Sequence, residues 1–168
     1  MTLRARPARP EDAAAIARIY NEGIADRLAT FETEPRATED VLAWLGEGFP
    51  LVVVEAEGGA IVAWASAPPY RPRREAYRGV GEFSVYVARE ERGRGAGRAA
   101  MEALLAEAEA RGFWKLVSRV FPENEASIEL CRALGFREVG VYRRHARLDG
   151  EWRDVVVVER LLGESAEP

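Results

Sequence analysis

The hexad Arg92-Gly93-Arg94-Gly95-Ala96-Gly97 lies between an alternating stretch, Phe83-Ser84-Val85-Tyr86-Val87, and a helical stripe of Met101, Leu104, Leu105 and Ala108. A strand that passes into a helix through glycines constrains the fold more than anything else in the chain. Glycine lets the backbone turn without a Cβ in the way, so several N–H groups can converge on one point. The following helix adds its own unpaired N–H groups and the positive end of its dipole. The segment therefore reads as a cradle for an anion such as a pyrophosphate, with Arg92, Arg94 and Arg98 supplying charge around it. A glycine-rich turn that holds no ligand is the plainer alternative.

Two other phosphate loops do not fit. No Gly-Lys-Ser/Thr follows the glycines, and the strand–helix unit sits mid-chain rather than opening a dinucleotide fold. Coenzyme A is the remaining natural candidate. The R-x-x-G-x-G spacing of Arg92, Gly95 and Gly97, with Asn124-x-x-Ser127 and Leu134-Gly135-Phe136 downstream, resembles the two coenzyme A segments of the GCN5-related N-acetyltransferases (GNAT). The resemblance runs over essentially the whole chain, from Arg6–Asp12 to the region of Leu161. Three further stretches narrow it. Tyr20-Asn21 with Thr30-Phe31-Glu32-Thr33-Glu34-Pro35, Ala76-Tyr77-Arg78 leading to Glu82-x-Ser84-Val85-Tyr86, and Gly150-Glu151-Trp152-Arg153-Asp154 are similar to the phosphinothricin and methionine sulfoximine acetyltransferases.

With 168 residues the chain suits one domain with a substantial core, expected over residues 1–163 and followed by a short tail at 164–168, with the stretch from Gly163 onward expected to fray. The pattern predicts a helix from about Glu11 to Asn21 and a second from about Thr38, as N-cap, to Gly46. A hairpin turns at Glu57-Gly58-Gly59, and a polar loop, Pro68–Gly79, carries arginines at 71, 73, 74 and 78. The motif strand and helix follow, then a strand at Leu116–Phe121, a helix from Asn124 to Gly135, and two strands around Asp149-Gly150. This order fits a mixed α/β domain. The resemblance implies the single-domain GNAT acyl-CoA N-acyltransferase fold, with a mixed, mostly antiparallel central sheet flanked by helices.

Composition excludes several functions. The balance of 24 basic against 28 acidic residues, without a basic tract, argues against nucleic acid. No apolar run is long enough to span a membrane, and Met1–Arg6 lacks the apolar core of a signal peptide, so a cytoplasmic location is expected. One cysteine, Cys131, and one histidine, His145, support neither a disulfide nor a metal site.

Acetyl transfer to an amine calls for a proton acceptor, and a carboxylate can serve directly or through water. Glu82 is the candidate base. Alternation puts it on one strand face with Ser84 and Tyr86, and the resemblance implies the same role; a solvated strand-end charge is the alternative. The resemblance further implies that the backbone of Val85, Tyr86 and Val87 meets the acetyl-CoA co-substrate, together with Arg92, Gly93, Arg94, Gly95, Ala96, Gly97, Arg98, Asn124 and Ser127. Asn124, Ser127 and Cys131 share one helix face. Cys131 stands where the family carries tyrosine, or histidine in the nearer subgroup. A thiol could donate a proton there, but a small buried hydrophobe is the commoner fate of free cysteine.

The resemblance also implies an oxyanion-bearing amino-acid analogue as substrate, with Arg71 and Arg73 holding its charge and Phe31 as an apolar wall. Solvated surface arginines are the alternative. His145, amid Arg143, Arg144 and Arg147, reads as a residue of a strand's exposed face or of a rim. The resemblance implies that Trp152 and Asp154 help shape the site or a homodimer contact, with plain packing as the alternative for Trp152. Two rival readings stay open: a GNAT enzyme for a polyamine or protein N-terminus, and a coenzyme A-binding regulatory module without catalysis.

Overall fold

A computed structural model describes residues 2–168. In chain order the elements are β1 (Arg4–Pro7), α1 (Ala13–Asp26), α2 (Thr38–Glu47), β2 (Leu51–Glu55), β3 (Ile61–Ser66), β4 (Val80–Glu82), β5 (Ser84–Val87), α3 (Ala96–Ala110), β6 (Lys115–Val120), α4 (Glu125–Ala133), β7 (Arg137–Leu148) and β8 (Glu151–Leu161). They form two four-stranded sheets, ordered β1-β2-β3-β5 and β4-β6-β8-β7. All pairings are antiparallel except β4 with β6. The expected mixed, mostly antiparallel α/β architecture is what forms.

Both faces of the first sheet are covered, which is why every residue of β3 is buried. On one face Val52, Val54, Ala63 and Ala65 meet Ala100, Met101, Leu104 and Leu105 of α3. On the other, Val53 and Trp64 meet Ile16 and Ile19 of α1 and Val41 of α2. Burying one leucine such as Leu104 contributes about 1.5–3 kcal/mol. The second sheet covers its inner face with Leu134 and Phe136 at the end of α4, packed on Leu116, Val156 and Val158. Its outer face is bare, and β7 is exposed along nearly its whole length.

Four expectations change. Phe83–Val87, expected as one strand, divides at Phe83: the Phe83 N–H still donates to Val117 C=O of the second sheet, whereas Ser84–Val87 pairs with β3 of the first. The first helix runs on to Asp26, ending at Arg27 in the left-handed region (φ 56°). The second starts at Thr38, but Thr38 is not its cap, because the Asp40 carboxylate accepts the Ala37 N–H at 2.7 Å and closes the turn one residue earlier. Finally, the C-terminal stretch does not simply fray. Gly163–Ala166 forms a 3-10 turn, fastened by the Ser165 hydroxyl, which donates to Trp114 C=O.

Candidate active site

The change of sheet at Phe83 opens a wedge between β5 and β6. Below it Glu82 pairs with Val117 on β6, and above it β5 pairs with β3 alone. Ala88 N–H donates to Val62 C=O at 2.8 Å, so alternation points the backbone groups of Ser84 and Tyr86 at β3 and those of Val85 and Val87 outward. The wedge is thus walled by strand backbone with unused hydrogen-bonding capacity.

Val85 and Val87 line a cleft of about 440 Å³ with Arg92, Gly93, Gly95, Gly97, Arg98, Asn124 and Ser127. The sequence-predicted cradle therefore forms around one opening. Gly95 caps α3 at φ 92°, a conformation that costs any other residue. Gly97 matters for a different reason: a Cβ there would stand 3.3 Å from Val87 Cγ2, a tight contact that the valine side chain would have to relieve. That close approach seats the start of α3 on the β5 edge. The charges are already engaged: Arg92 Nη1 meets Asp26 at 2.7 Å and its Nε reaches Val87 C=O at 3.4 Å, while Arg98 pairs with Glu102 at 2.8 Å. Two predicted members lie outside the cleft lining: Arg94 pairs with Glu91, and the Ala96 side chain is buried in the core.

A second cavity of about 270 Å³ shares Val85, Tyr86, Asn124 and Ser127 with the cleft and adds Phe31, Glu82, Ser84, Arg119 and Cys131. Glu82 thus lines a cavity that adjoins the cradle's cleft through those shared residues. Its Oε1 accepts two hydrogen bonds from Arg119, from Nε at 3.0 Å and Nη2 at 2.6 Å. Phe31 forms the expected wall, edge-on to Phe121 with centroids 4.9 Å apart. Its loop is tied to α1 through Asn21, whose side chain exchanges hydrogen bonds of 2.9 and 2.7 Å with the backbone of Arg36.

Tyr86, expected to offer its backbone to the co-substrate, instead spends that backbone in the ladder with β3. Its ring stacks on Trp64 at 5.0 Å, and burial raises its hydroxyl well above the ordinary phenolic value. Asn124 caps α4 by accepting the Ser127 N–H at 3.3 Å. Cys131 reaches the smaller cavity as expected from its helix face, and burial, assisted by Glu138, pushes its thiol up to about 11.

The loop arginines do not reach that cavity. Arg71 lies over Tyr70 at 5.3 Å and lines a separate hollow of about 760 Å³ on the bare face of the second sheet. Arg73 is exposed and lines neither. Glu82 and Arg119 form the wall between the smaller cavity and the hollow. Sequence reasoning missed Arg119 altogether, since its partner lies 37 positions away and no local pattern links them.

Comparison with known proteins agrees with this geometry. Residues 16–136 match the profile of the acetyltransferase (GNAT) family. An L-methionine sulfoximine/L-methionine sulfone acetyltransferase from Pseudomonas aeruginosa is 31% identical over 163 residues, spanning 95% of this chain and 94% of the relative. Among solved structures, a GNAT superfamily phosphinothricin acetyltransferase from Sinorhizobium meliloti in complex with AcCoA superposes with a TM-score of 0.91 at 34% identity, covering 99% of this chain and 91% of that one. A ribosomal-protein-alanine N-acetyltransferase from Brucella melitensis superposes with a TM-score of 0.89 at 35% identity, covering 95% and 99%.

Proposed function

The chain belongs to the acetyltransferase (GNAT) family, and from that premise we propose that it transfers the acetyl group of acetyl-CoA to the α-amine of a small amino-acid analogue of the phosphinothricin or methionine sulfoximine class. The observation that carries the reading is the wedge itself. A carboxylate, an outward-facing strand backbone and a glycine-built helix start converge on cavities that share their lining.

In this reading Gly93, Gly95 and Gly97, with the first N–H groups of α3, hold the pyrophosphate of acetyl-CoA. Arg92 and Arg98 supply charge beside it once they turn from Asp26 and Glu102. Asn124 and Ser127 line the path. The outward backbone of Val85 and Val87 pairs with the amide-bearing arm and stabilises negative charge gathering on the acetyl oxygen. Glu82 accepts the proton of the attacking amine. Phe31 packs against the substrate's apolar part, and no covalent enzyme intermediate is required.

Residues 1–163 act as one catalytic domain in a cytoplasmic homodimer. Exposed Val139, Val141, Tyr142, Trp152 and Leu161 support the dimer, because apolar side chains left half in water along two strands favour a partner surface. In such a dimer Arg71 and Arg73 bind the substrate's oxyanion only if the loop moves or acts across the interface.

A protein N-terminus is the second reading, favoured by the Brucella melitensis neighbour. Thiol release from acetyl-CoA, measured with phosphinothricin, methionine sulfoximine, methionine sulfone, spermidine and an N-terminal alanine peptide, separates the two. Turnover on the first three compounds supports the proposal, and turnover confined to the peptide or spermidine overturns the substrate class.

A further inference from the structure

Glu82 does not stand alone at the wedge. Both Nε and Nη2 of Arg119 donate to the same oxygen, Oε1, and no donor among the described residues hydrogen-bonds Oε2. The two residues lie on adjacent strands, Glu82 opposite Val117 in the parallel ladder and Arg119 two positions further along the same face of β6. Position and pairing therefore restrict the carboxylate at one oxygen and leave the other unengaged.

Arg119 is itself braced. Its Nη1 lies 3.3 Å from His145 Nε2. A guanidinium has only donors, so a hydrogen bond in this contact needs Nε2 as its acceptor. His145 reaches this place because β7 leaves its register with β8 between Tyr142 and Ala146. Within that bulge Arg144 adopts φ 48°, and its N–H donates to Asp154 Oδ1 at 2.7 Å. The His145 ring also packs on Tyr142, with centroids 5.0 Å apart. A bulge pinned from the neighbouring strand is a common way to re-aim a side chain. Here it aims the histidine at Arg119.

We propose that Arg119 is a positioning residue for proton transfer: its fork clamps Glu82 Oε1, leaves Oε2 as the oxygen that receives the amine proton, and is held from behind by His145 on the Asp154-pinned bulge. This rests on the reading of Glu82 as base. The Glu82–Arg119 pair is partly exposed, 31% and 49% at the side chains, so its role is geometric rather than one of fold stability.

The test uses the full chain with acetyl-CoA and methionine sulfoximine, comparing Glu82→Gln, Arg119→Ala, Arg119→Lys and the Glu82→Gln/Arg119→Ala double variant. Arg119→Ala should lower kcat by about 10- to 100-fold with the amine KM nearly unchanged, since a small misplacement of a reacting group costs this much. Its melting temperature should stay within about 2 °C of the parent, in keeping with a weak exposed pair. Arg119→Lys should not restore kcat, because a single ammonium cannot reproduce the two-pronged hold.

The decisive comparison is the double variant. If Arg119 acts through Glu82, it should be no slower than Glu82→Gln alone. Multiplying losses, an Arg119→Ala enzyme with parental kcat, or a raised amine KM at constant kcat would each overturn the proposal, the last by making Arg119 a substrate contact. If Glu82→Gln itself keeps full activity, the base assignment falls first and this inference falls with it. An impaired Glu82→Gln with multiplying losses overturns the positioning role alone.

Discussion

The two sheets divide the labour of the wedge. The first is buried on both faces, and its edge strand β5 offers backbone to a cradle built from glycines and a helix start. The second is bare on one face, and it offers side chains: Glu82, Arg119 and, through the bulge of β7, His145. A co-substrate of fixed shape can be held by rigid main chain, which needs little side-chain identity. In the proposed reaction, selecting an amine and removing its proton would fall to charged groups with particular partners, and the Glu82–Arg119 pair stands on the sheet whose outer face is bare.

The widest gap between the halves should appear in chemistry against stability. Glu82→Gln is expected to lower kcat by about 10²- to 10⁴-fold while leaving the melting temperature near the parent value. Leu104→Ala should do the reverse, destabilising the fold by about 2–5 kcal/mol in denaturant titration, because Leu104 is fully enclosed between α3 and the first sheet. On the bare sheet Val141→Asp should cost the monomer little, about 0.5 kcal/mol or less, because Val141 is 53% exposed. Light scattering should nonetheless show dimers replaced by monomers. Monomeric parent protein would remove the homodimer from the comparison.

Gly95→Ala probes the cradle directly. The residue has φ 92° and open space where a Cβ would go, so the cost is backbone strain alone, about 1–2 kcal/mol. Acetyl-CoA KM should rise with the amine KM unchanged. Equal rises in both would mean that the halves are not separable.

A smaller effect concerns acid stability of the first half. Burial works to raise the Asp12 carboxyl, but the Arg6 fork, at 2.7 and 2.9 Å, and the Arg9 N–H, at 2.8 Å, outweigh it and hold the group below its ordinary value. A folded-state value below the unfolded one stabilises the protein above the unfolded value and loses that contribution as pH falls through the folded one. Melting temperature followed from about pH 6 to pH 2 should therefore fall less steeply at the acid end in Asp12→Asn than in the parent. Parallel curves would show that Asp12 does not contribute to the acid limb.

What was legible in the sequence follows the same division. Gly95 announces itself locally, since the turn at φ 92° favours glycine, and Gly97 follows two residues on in the same motif, where a Cβ would crowd Val87. Glu82, Ser84 and Tyr86 do line one cavity, together with Phe83 and Val85, but the strand breaks at Phe83, where pairing passes from Val117 to the β3 edge. That break depends on which sheet each neighbour joins, and periodicity does not carry it. His145 lies on the exposed face of a strand, as read, but the contacts of Arg119 with Glu82 and with His145 were illegible: they span 37 and 26 positions, and the second depends on a bulge whose pin is Asp154. The loop arginines were legible as a basic loop, but Arg71 packs over Tyr70 and Tyr77 in the hollow outside the smaller cavity.

Cys131 belongs to both halves and supplies the finest test. It lines the smaller cavity from α4, yet it is buried among Met101, Leu134 and Phe136 in the main core. With its thiol pushed up to about 11, almost none is thiolate at neutral pH, so alkylation by iodoacetamide should be slow and should quicken about tenfold per pH unit below that value. A protonated thiol could still hand a proton to the departing sulfur. Had it that role, Cys131→Ala would lower kcat by about 10²-fold or more, the usual contribution of a positioned acid. The packing instead favours a filler: the expected outcome is kcat near the parent value and a loss of about 1 kcal/mol in stability, the cost of one small buried group. A collapse of kcat with stability intact would move Cys131 out of the core's account and into the chemistry of the wedge.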